Sequence, residues 1–337
     1  MSASPTTVRR PAGIDDFAAA VETYRRDTTL LCYRFLGSIS EAEEAAQETA
    51  LRAWRARDRF RGDSSLRTWL HRIAARVCLD LLRTRRARVL PMDIRPASTD
   101  PSAPPEPPLT EIPWLEPLPD EFIAGAAHDP AARYDLRESV SLAFIAALQS
   151  LPARQRAVLL LRDVLGWRAA ETASVLEMSV AASNSALHRA RVALRETHHR
   201  TGLSAMTHRP PSDAISRRLL DRYVRAWESD DVAGLLATMR EDVRLAMPPS
   251  PTWFDGRAGV REALRGWVFG QLRPPTGYRV LATTANSQPA AVFGPGEATD
   301  FDGAQVLELD PEGRVTLVTV FLDPALAARL HAGRSRA

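Results

Sequence analysis

The sequence contains no lysine, only two cysteines and no long apolar run. All basic residues other than histidine are therefore arginine, which we attribute to a GC-rich genome and not to a mode of binding. Cys32 and Cys78 lie in separate helical patterns without CxxC or histidine spacing, so we expect buried free thiols and neither a disulfide nor a zinc site. No segment could span a bilayer, and the N-terminal MSASPTTVRRPAGIDD lacks the apolar core of a signal peptide. The absences predict a cytoplasmic protein with no membrane contact, metal or cofactor.

Charge is distributed unevenly along a chain whose net charge is only +3. Residues 51–90 contain twelve arginines and three aspartates, whereas residues 91–140 contain three arginines and ten acidic residues. With 337 residues, of which 45% are hydrophobic, the chain is long enough for two or three domain cores. A basic segment confined to one domain indicates nucleic-acid binding by that domain.

Residues 151–196 have the pattern of three short helices that end in a helix-turn-helix. In the last helix Ser183, Leu187, Ala190 and Leu194 fall on one face of a 3.6-residue period, and Ser179 precedes it as an N-cap. The opposite face is polar and basic. A helix of this kind lies in the DNA major groove, with its N-terminal half near the base edges.

Asparagine pairs well with adenine and arginine with guanine, so the polar face supplies candidate base readers. The candidates near base edges are Ala182, Asn184, Ser185, Ala186, His188 and Arg189. Those better placed for phosphates are Arg154, Arg191 and Arg195. Periodicity alone also allows an amphipathic helix with a solvated basic face.

A second pair of helical patterns lies upstream. The helix EAEEAAQETALRAWRAR carries acidic side chains at its start and arginines at its end, which complements the helix dipole. After the loop at residues 60–65, a helix follows with an apolar stripe of Leu66, Leu70, Ile73, Val77 and Leu81. Arg72, Arg76 and Arg83 lie on a different stripe of the same helix. Large aromatic residues usually pack, so we expect Trp54 in the core, whereas Trp69 could serve the core or DNA.

Two strings in this order carry a family resemblance. LPARQRAVLLLRDVLGWRAAETASVL followed by SNSALHRARVALRE resembles region four of extracytoplasmic-function sigma factors of the sigma-70 family, and residues 41–88 resemble region two. The resemblance implies that region four binds the minus-thirty-five element and the flap of the RNA polymerase beta subunit. Region two would bind the beta-prime clamp helices of core polymerase and melt the minus-ten element.

The resemblance also implies roles for particular residues. The surface that would meet the clamp comprises Glu41, Glu44, Gln47 and Glu48, for which a solvated acidic turn is the alternative. The residues that would bind and melt the minus-ten element are Phe60, Arg61, Asp63, Ser64, Arg67, Trp69, Arg72 and Arg76. One departure concerns the turn of region four: many relatives have glycine where this chain has Glu177, so we expect a different turn geometry here.

Proline crowding excludes continuous helix between the two regions, so an extended acidic linker is expected. In sigma factors that lack region three, the resemblance implies that this linker passes through the polymerase. The apolar segment 114–120, with Trp114, Leu115 and Pro117, is expected to dock either on the polymerase or on the protein's own C-terminal domain. A small local hydrophobic cluster is the alternative.

Residues 213–332 form a third unit, in which an amphipathic helix precedes strands with turns at Pro-Gly and Pro-Glu-Gly. Helices followed by a sheet predict an α+β fold, and FDGRAGVREAL resembles the SnoaL-like, polyketide-cyclase-like members of the nuclear-transport-factor superfamily. Such cones enclose a pocket, whose candidate lining is Met247, Trp253, Phe254, Asp255 and Trp267. We expect the apolar side chains to fill the cone and Asp255 to serve its turn, which argues against an enzyme.

The predicted architecture is multidomain, with two all-α sigma domains and a C-terminal α+β cone. Its parts are region two at 14–90, the linker at 91–132, region four at 133–200 and the SnoaL-like domain at 213–332. The predicted function is an extracytoplasmic-function sigma factor that directs core polymerase to promoter DNA and is modulated by its own C-terminal domain. An anti-sigma factor is a further candidate partner. The alternative is a helix-turn-helix regulator with a small-molecule-binding or cyclase-like C-terminal domain.

Overall fold

The computed structural model describes residues 14–123, 136–201, 211–297 and 300–334. The chain divides into two compact units. Residues 1–87 and 151–194 form the helical unit, and residues 88–150 and 195–337 form the mixed unit. The predicted boundary between linker and region four, at residues 132 and 133, lies outside the described residues, as does most of the N-terminal segment examined for a signal peptide.

The helices of both units begin and end as follows. They are α1 Ile14–Thr23, α2 Arg25–Leu36, α3 Ile39–Arg55, α4 Leu66–Leu82, α5 Leu142–Gln149, α6 Ala153–Leu159, α7 Ala169–Val175, α8 Val180–Thr201, α9 Asp213–Glu228, α10 Val232–Ala237, α11 Gly256–Ala263 and α12 Pro324–Arg334. Serine side chains cap several of them. The hydroxyl oxygens of Ser38, Ser65 and Ser179 accept hydrogen bonds from the third backbone N–H beyond each cap, at 3.2, 3.1 and 3.1 Å. The predicted N-cap at Ser179 is confirmed.

The core of the helical unit is built where α2, α3 and α4 pack together. Tyr33, Phe35 and Leu70 are at most 1% exposed there. Cys32 and Cys78 are buried free thiols, as the sequence predicted. The predicted inward face of α8 is confirmed as well, since Ser183, Leu187, Ala190 and Leu194 are all buried. The apolar periodicity therefore located the packed faces of these helices correctly.

A buried arginine joins α6 to the end of α2 within this unit. Arg156 is 2% exposed, and its guanidinium donates hydrogen bonds to the carbonyl oxygen of Phe35 and, at 3.3 Å, to that of Leu151. Burial lowers the pKa of Arg156 to about 10. Phe35 lies in the last turn of α2, where carbonyl groups have no partner within the helix, so the guanidinium supplies a donor that this helix end requires.

Among the described residues, the mixed unit contains a six-stranded sheet. Its strands are β1 Met239–Ala246, β2 Trp253–Asp255, β3 Tyr278–Ala285, β4 Gln288–Pro295, β5 Gly303–Leu309 and β6 Val315–Phe321, in the order β2-β1-β6-β5-β4-β3. The pairs are antiparallel except for β1 with β6. The α+β class is confirmed, and β3 to β6 lie in the segments predicted as strands.

The two faces of the sheet carry different helices. On one face α9, α10 and α11 cover an apolar core that includes Tyr223, Trp227 and Phe254. On the other face lies α12, where the Thr283 hydroxyl donates to the carbonyl oxygen of Leu330 at 3.2 Å. The sheet is thus buried on both sides in its central part.

The proline-rich segment 88–123 belongs to the mixed unit. It is extended with short 3₁₀ turns, as proline crowding predicted, but several of its apolar side chains are buried, including those of Leu90, Leu115 and Leu118. Leu118 exchanges two hydrogen bonds of 2.8 Å with Asn286, in the β3–β4 turn: its N–H donates to the side-chain oxygen and its carbonyl oxygen accepts from the backbone N–H. The segment is therefore part of a packed structure and not a free spacer.

Candidate nucleic-acid interface

The outer face of α8 carries the predicted base readers. Asn184, Ser185, His188, Arg189 and Arg195 are all exposed. Ala186 is 3% exposed and packs inward, so its inclusion among the readers is wrong: it lies one turn from Ala190, on the buried face. The exposed set nevertheless shares one side of the helix.

Two side chains on the outer face of α8 form polar contacts with residues 162 and 163. Arg191 forms a bidentate pair with Asp163, with N–O distances of 2.9 and 2.7 Å. Asn184 accepts a hydrogen bond of 3.3 Å from Arg162. The predicted phosphate contact at Arg191 therefore competes with an internal carboxylate, whereas Arg195 is exposed.

The turn between α7 and α8 does not have the different geometry that the sequence predicted for Glu177. Glu177 has a φ of 52°, in the left-handed region, so the chain takes the geometry for which relatives use glycine. The N–H of Met178 closes the turn on the carbonyl oxygen of Ala173 at 3.0 Å. Leu176 and Ser183, on either side of the turn, are buried, so the tertiary structure of the helical unit outweighs the local cost at Glu177.

Replacing Glu177 by glycine is expected to raise the free energy of unfolding of the helical unit by up to about 1 kcal/mol. The left-handed conformation costs an L-residue roughly 1–2 kcal/mol, and the greater freedom of unfolded glycine offsets part of that gain. Chemical denaturation measures the change. Ser174→Gly, in α7, is the matched control and should lose about 0.5–1 kcal/mol. Equal losses of unfolding free energy in the two variants would show that the left-handed φ of Glu177 does not destabilise the unit.

The acidic surface at the start of α3 is partly paired. Glu41 and Glu44 lie 2.7 and 3.8 Å from the guanidinium of Arg85, and Glu48 lies 2.7 Å from that of Arg52. Gln47 is exposed. These residues share one region of the helical unit, as the predicted clamp-binding surface requires.

The loop before α4 divides into exposed and buried residues. Arg61 and Asp63 are exposed and Ser64 is half-buried. Phe60 is only 4% exposed and packs against Trp69, with ring centroids 5.2 Å apart, so its expected exposure to DNA is wrong in this arrangement. Trp54 and Trp69 both pack on the same cluster while remaining partly exposed. The loop offers charged side chains outward and aromatic ones inward.

The basic stripe of α4 contacts neighbouring groups of the helical unit. Arg67 pairs with Asp27 at 2.7 Å. Arg72 lies over the Trp167 ring, 5.9 Å from its centroid. Arg76 donates to the carbonyl oxygen of Val175 at 3.5 Å and lies 3.6 Å from Glu177. Two arginines of the upstream stripe thus contact the helix-turn-helix half.

In the mixed unit the predicted pocket residues fall into two groups. Met247, Phe254 and Trp267 are at most 4% exposed within the core, which confirms that they fill the cone. Trp253 is half-buried at the edge, where its indole N–H donates to the carbonyl oxygen of Arg95 at 2.8 Å. Asp255 is exposed at the start of α11, 3.3 Å from Arg244. The five residues do not line one pocket.

Residues that the sequence did not indicate surround a cavity of about 340 Å³ elsewhere in the mixed unit. Its walls come from five separate stretches: the linker at Asp120, residues 137–141, the start of α9, the β3–β4 turn and the end of β5. No local motif marks such a site, because only the tertiary fold brings the stretches together.

The described parts of the chain combine a basic helical module, a helix-turn-helix and an α+β domain, which defines a DNA-binding transcription factor with a C-terminal extension. Family models agree with each part. Sigma-70 region 2 matches residues 20–88, Sigma-70 region 4 matches residues 141–194, and the SnoaL-like domain matches residues 220–319.

Relatives cover the whole arrangement. The extracytoplasmic-function RNA polymerase sigma factor SigG of Mycobacterium tuberculosis is 41% identical over 318 residues, which span 92% of this chain and 82% of SigG. SigW of Bacillus subtilis is 28% identical over 184 residues, 54% of this chain and 88% of SigW. The crystal structure of SigJ of Mycobacterium tuberculosis has the same fold, with a TM-score of 0.57 at 20% identity, over 94% of this chain and 98% of SigJ.

The chain belongs to the extracytoplasmic-function sigma factors of the sigma-70 family, and it carries a SnoaL-like C-terminal extension. It functions in transcription initiation, as the sequence predicted. SigG, SigW and SigJ are all extracytoplasmic-function sigma factors. Within the described part of the chain, no helix combines the length and apolarity that crossing a membrane requires.

Proposed function

We propose that this sigma factor binds core RNA polymerase through the acidic surface of α3 and reads two promoter elements. The observation that carries the proposal is the exposed face of α8, on which Asn184, His188 and Arg189 stand opposite the buried Ala190. Base-edge donors and acceptors on one face of such a helix suit the major groove of the minus-thirty-five element. The arginines of α4 and the loop at residues 60–65 would serve the minus-ten element.

The free protein is proposed to be a resting form. Arg72 and Arg76, candidates for promoter melting, contact the helix-turn-helix half instead, and Arg191 is paired with Asp163. Binding of polymerase would have to replace these contacts before the same side chains met DNA. Because exposed ion pairs are weak, the replacement is energetically accessible.

Reconstitution with core polymerase tests the proposal. We expect little stable binding of a promoter duplex by the free protein, and open-complex formation, detected as reactive unpaired thymines near minus ten, once core polymerase is added. Core polymerase without the sigma factor is the control. Tight, polymerase-independent binding by a symmetric dimer would favour an ordinary helix-turn-helix regulator instead.

Arg189→Ala and Arg195→Ala should separate base reading from phosphate binding. Arg189 is placed for a base edge, so its loss is expected to reduce discrimination between promoter variants by about 1–3 kcal/mol at one position. Arg195 is placed for a phosphate, so its loss should weaken binding about equally on all sequences and reduce the salt dependence. Holoenzyme affinities for a set of single-base promoter variants measure both effects. Indistinguishable profiles for the two variants would contradict the assignment.

The C-terminal domain is proposed to regulate the linker. The linker segment with the predicted dock, Trp114, Leu115 and Pro117, is buried within the mixed unit, and Leu118 is hydrogen-bonded to Asn286. Trp114 donates its indole N–H to Leu109 of the same segment at 2.8 Å. A linker held in this way is unable to follow a path through the polymerase until it is released. This supports docking on the protein's own domain.

The proposed role of the C-terminal domain is binding and not catalysis, because apolar side chains such as Phe254 and Trp267 occupy the cone interior. The predicted interactions with the clamp helices, the flap and an anti-sigma factor remain predictions for the reconstituted complex.

A further inference from the structure

The cavity of about 340 Å³ in the mixed unit lies at the end of the sheet where β5 finishes and β3 turns into β4. Apolar side chains, among them Leu220 and Leu307, contribute to its walls. Its volume is at the lower end of the range of small-molecule sites. A compact ligand with an apolar body would fill this space.

Glu308 lies in the wall of this cavity and is the group that distinguishes it. The residue is 9% exposed, and its Oε2 atom is buried without a hydrogen-bond partner among the described residues. Burial alone raises the pKa of Glu308 to about 8. Burying a carboxyl group without a hydrogen-bond partner costs folding free energy, so such a group usually has a functional role, such as binding a ligand.

The other charged groups of the cavity already have partners or lie at its rim. Asp120 accepts a hydrogen bond of 2.8 Å from the N–H of Ser287, and burial raises the pKa of its carboxyl group. Arg137 pairs with Asp213 at 2.7 Å, Glu138 also lines the cavity, and Arg217 is exposed. Four acidic residues and two arginines line the cavity, so ionisation of Glu308 leaves an excess of negative charge that favours a positively charged ligand over an anion.

We propose that the cavity binds a small organic cation, a primary amine with an apolar body, whose ammonium group pairs with the carboxylate of Glu308. An ammonium group would supply the counter-charge that the Glu308 carboxylate lacks, and the apolar body would contact Leu220 and Leu307. An organic cation fits better than a metal ion, because no group of three or more metal-ligating side chains occurs among the described residues.

Binding should be coupled to proton release. At neutral pH the raised pKa keeps Glu308 mostly protonated, and pairing with an ammonium group requires the carboxylate, so one proton leaves as the cation binds. The affinity should rise about tenfold per pH unit from pH 6 to 8 and level off above that, because the ligand amine, with a pKa near 10, stays charged throughout. Asp120, Arg137, Glu138, Asp213 and Arg217 are the other charged groups that face the cavity.

Three probes of the same shape test the charge requirement on the full chain: tryptamine as the cation, tryptophol as the neutral alcohol and indole-3-propionate as the anion. Isothermal titration calorimetry from pH 6 to 9, in two buffers of different ionisation enthalpy, measures affinity and proton release together. We expect tryptamine to bind with the stated pH dependence and with release of nearly one proton at pH 7. Tryptophol and indole-3-propionate should bind at least tenfold more weakly at pH 8.

Glu308→Gln removes the charge with little change of shape, and should weaken tryptamine binding at least tenfold and abolish its pH dependence. Glu312→Gln, in the exposed β5–β6 turn, is the matched control and should leave both unchanged. Equal binding of tryptamine and tryptophol, or of tryptamine to wild type and Glu308→Gln, would overturn the proposal, as would failure of tryptamine to bind. If Glu308→Gln does not fold, the proton release of the wild-type protein decides alone: its absence at pH 7 refutes the pairing.

Discussion

Replacing Arg156 by methionine is expected to lower the free energy of unfolding of the helical unit by roughly 2–4 kcal/mol. The change removes the donors to the carbonyl oxygens of Phe35 and Leu151. A buried acceptor left without a donor costs about 1–3 kcal/mol, and methionine fills much of the arginine volume without replacing a donor. Removing a buried charge, whose pKa is already lowered to about 10 by burial, offsets part of the loss.

Hydrogen exchange during urea denaturation would measure this change in α2 and α6 separately from the mixed unit. Arg154→Met is the matched control, because Arg154 lies two residues earlier on the same helix and is exposed. It should change the free energy of unfolding by less than about 0.5 kcal/mol. Similar effects of the two substitutions would show that the guanidinium contacts of Arg156 do not stabilise the unit.

Replacing Asn286 by glycine is expected to weaken the docking of the linker on the sheet by roughly 2–4 kcal/mol. The side chain of this fully buried residue accepts from the N–H of Leu118 at 2.8 Å and donates to the carbonyl oxygen of Val140 at 2.6 Å. Glycine tolerates the φ of 55° at this position, so the variant loses the two side-chain hydrogen bonds without backbone strain. Asn286→Ala should cost about 1 kcal/mol more, because alanine does not favour that φ.

Faster amide exchange and earlier proteolytic cleavage within residues 88–123 are the expected signs of this loss. Ser287→Ala changes the next residue of the same turn, where φ is 56°, and should leave exchange in the linker unchanged. If linker docking regulates the sigma factor, Asn286→Gly will also alter promoter-directed transcription with core polymerase. Unchanged exchange in the linker would contradict the structural role, whereas changed exchange with unchanged transcription would contradict only the regulatory role.

Local patterns predicted much of the helical unit. The buried face of α8 and the N-cap at Ser179 follow from the 3.6-residue period and from capping chemistry, which act within a few residues. Phe60 and Glu177 were predicted wrongly for one reason. A loop phenylalanine and a turn glutamate take their final conformations from the tertiary structure. Phe60 packs in a cluster that includes Phe17, and buried residues flank the turn at Glu177.

The mixed unit shows the same division. The strands from residue 278 onward follow from apolar stretches and turn residues, but the parallel pairing of β1 with β6 joins segments about 70 residues apart and has no local signal. The pocket residues expected near Trp253 and Phe254 separate into core and edge, while the cavity at Glu308 depends on five stretches that meet only in the fold.

The family, the helical faces, the α+β class and the candidate readers on α8 follow from the amino-acid sequence alone, because each of these depends on periodicity or on motifs within a short segment. The folded chain, in contrast, determines which arginines are already paired, how the linker is held by Asn286 and where a buried carboxyl group lines a cavity. Pairing, burial and cavity shape arise from contacts between residues far apart in the chain, and the free energy of a charged group depends on those contacts more than on its neighbours in sequence.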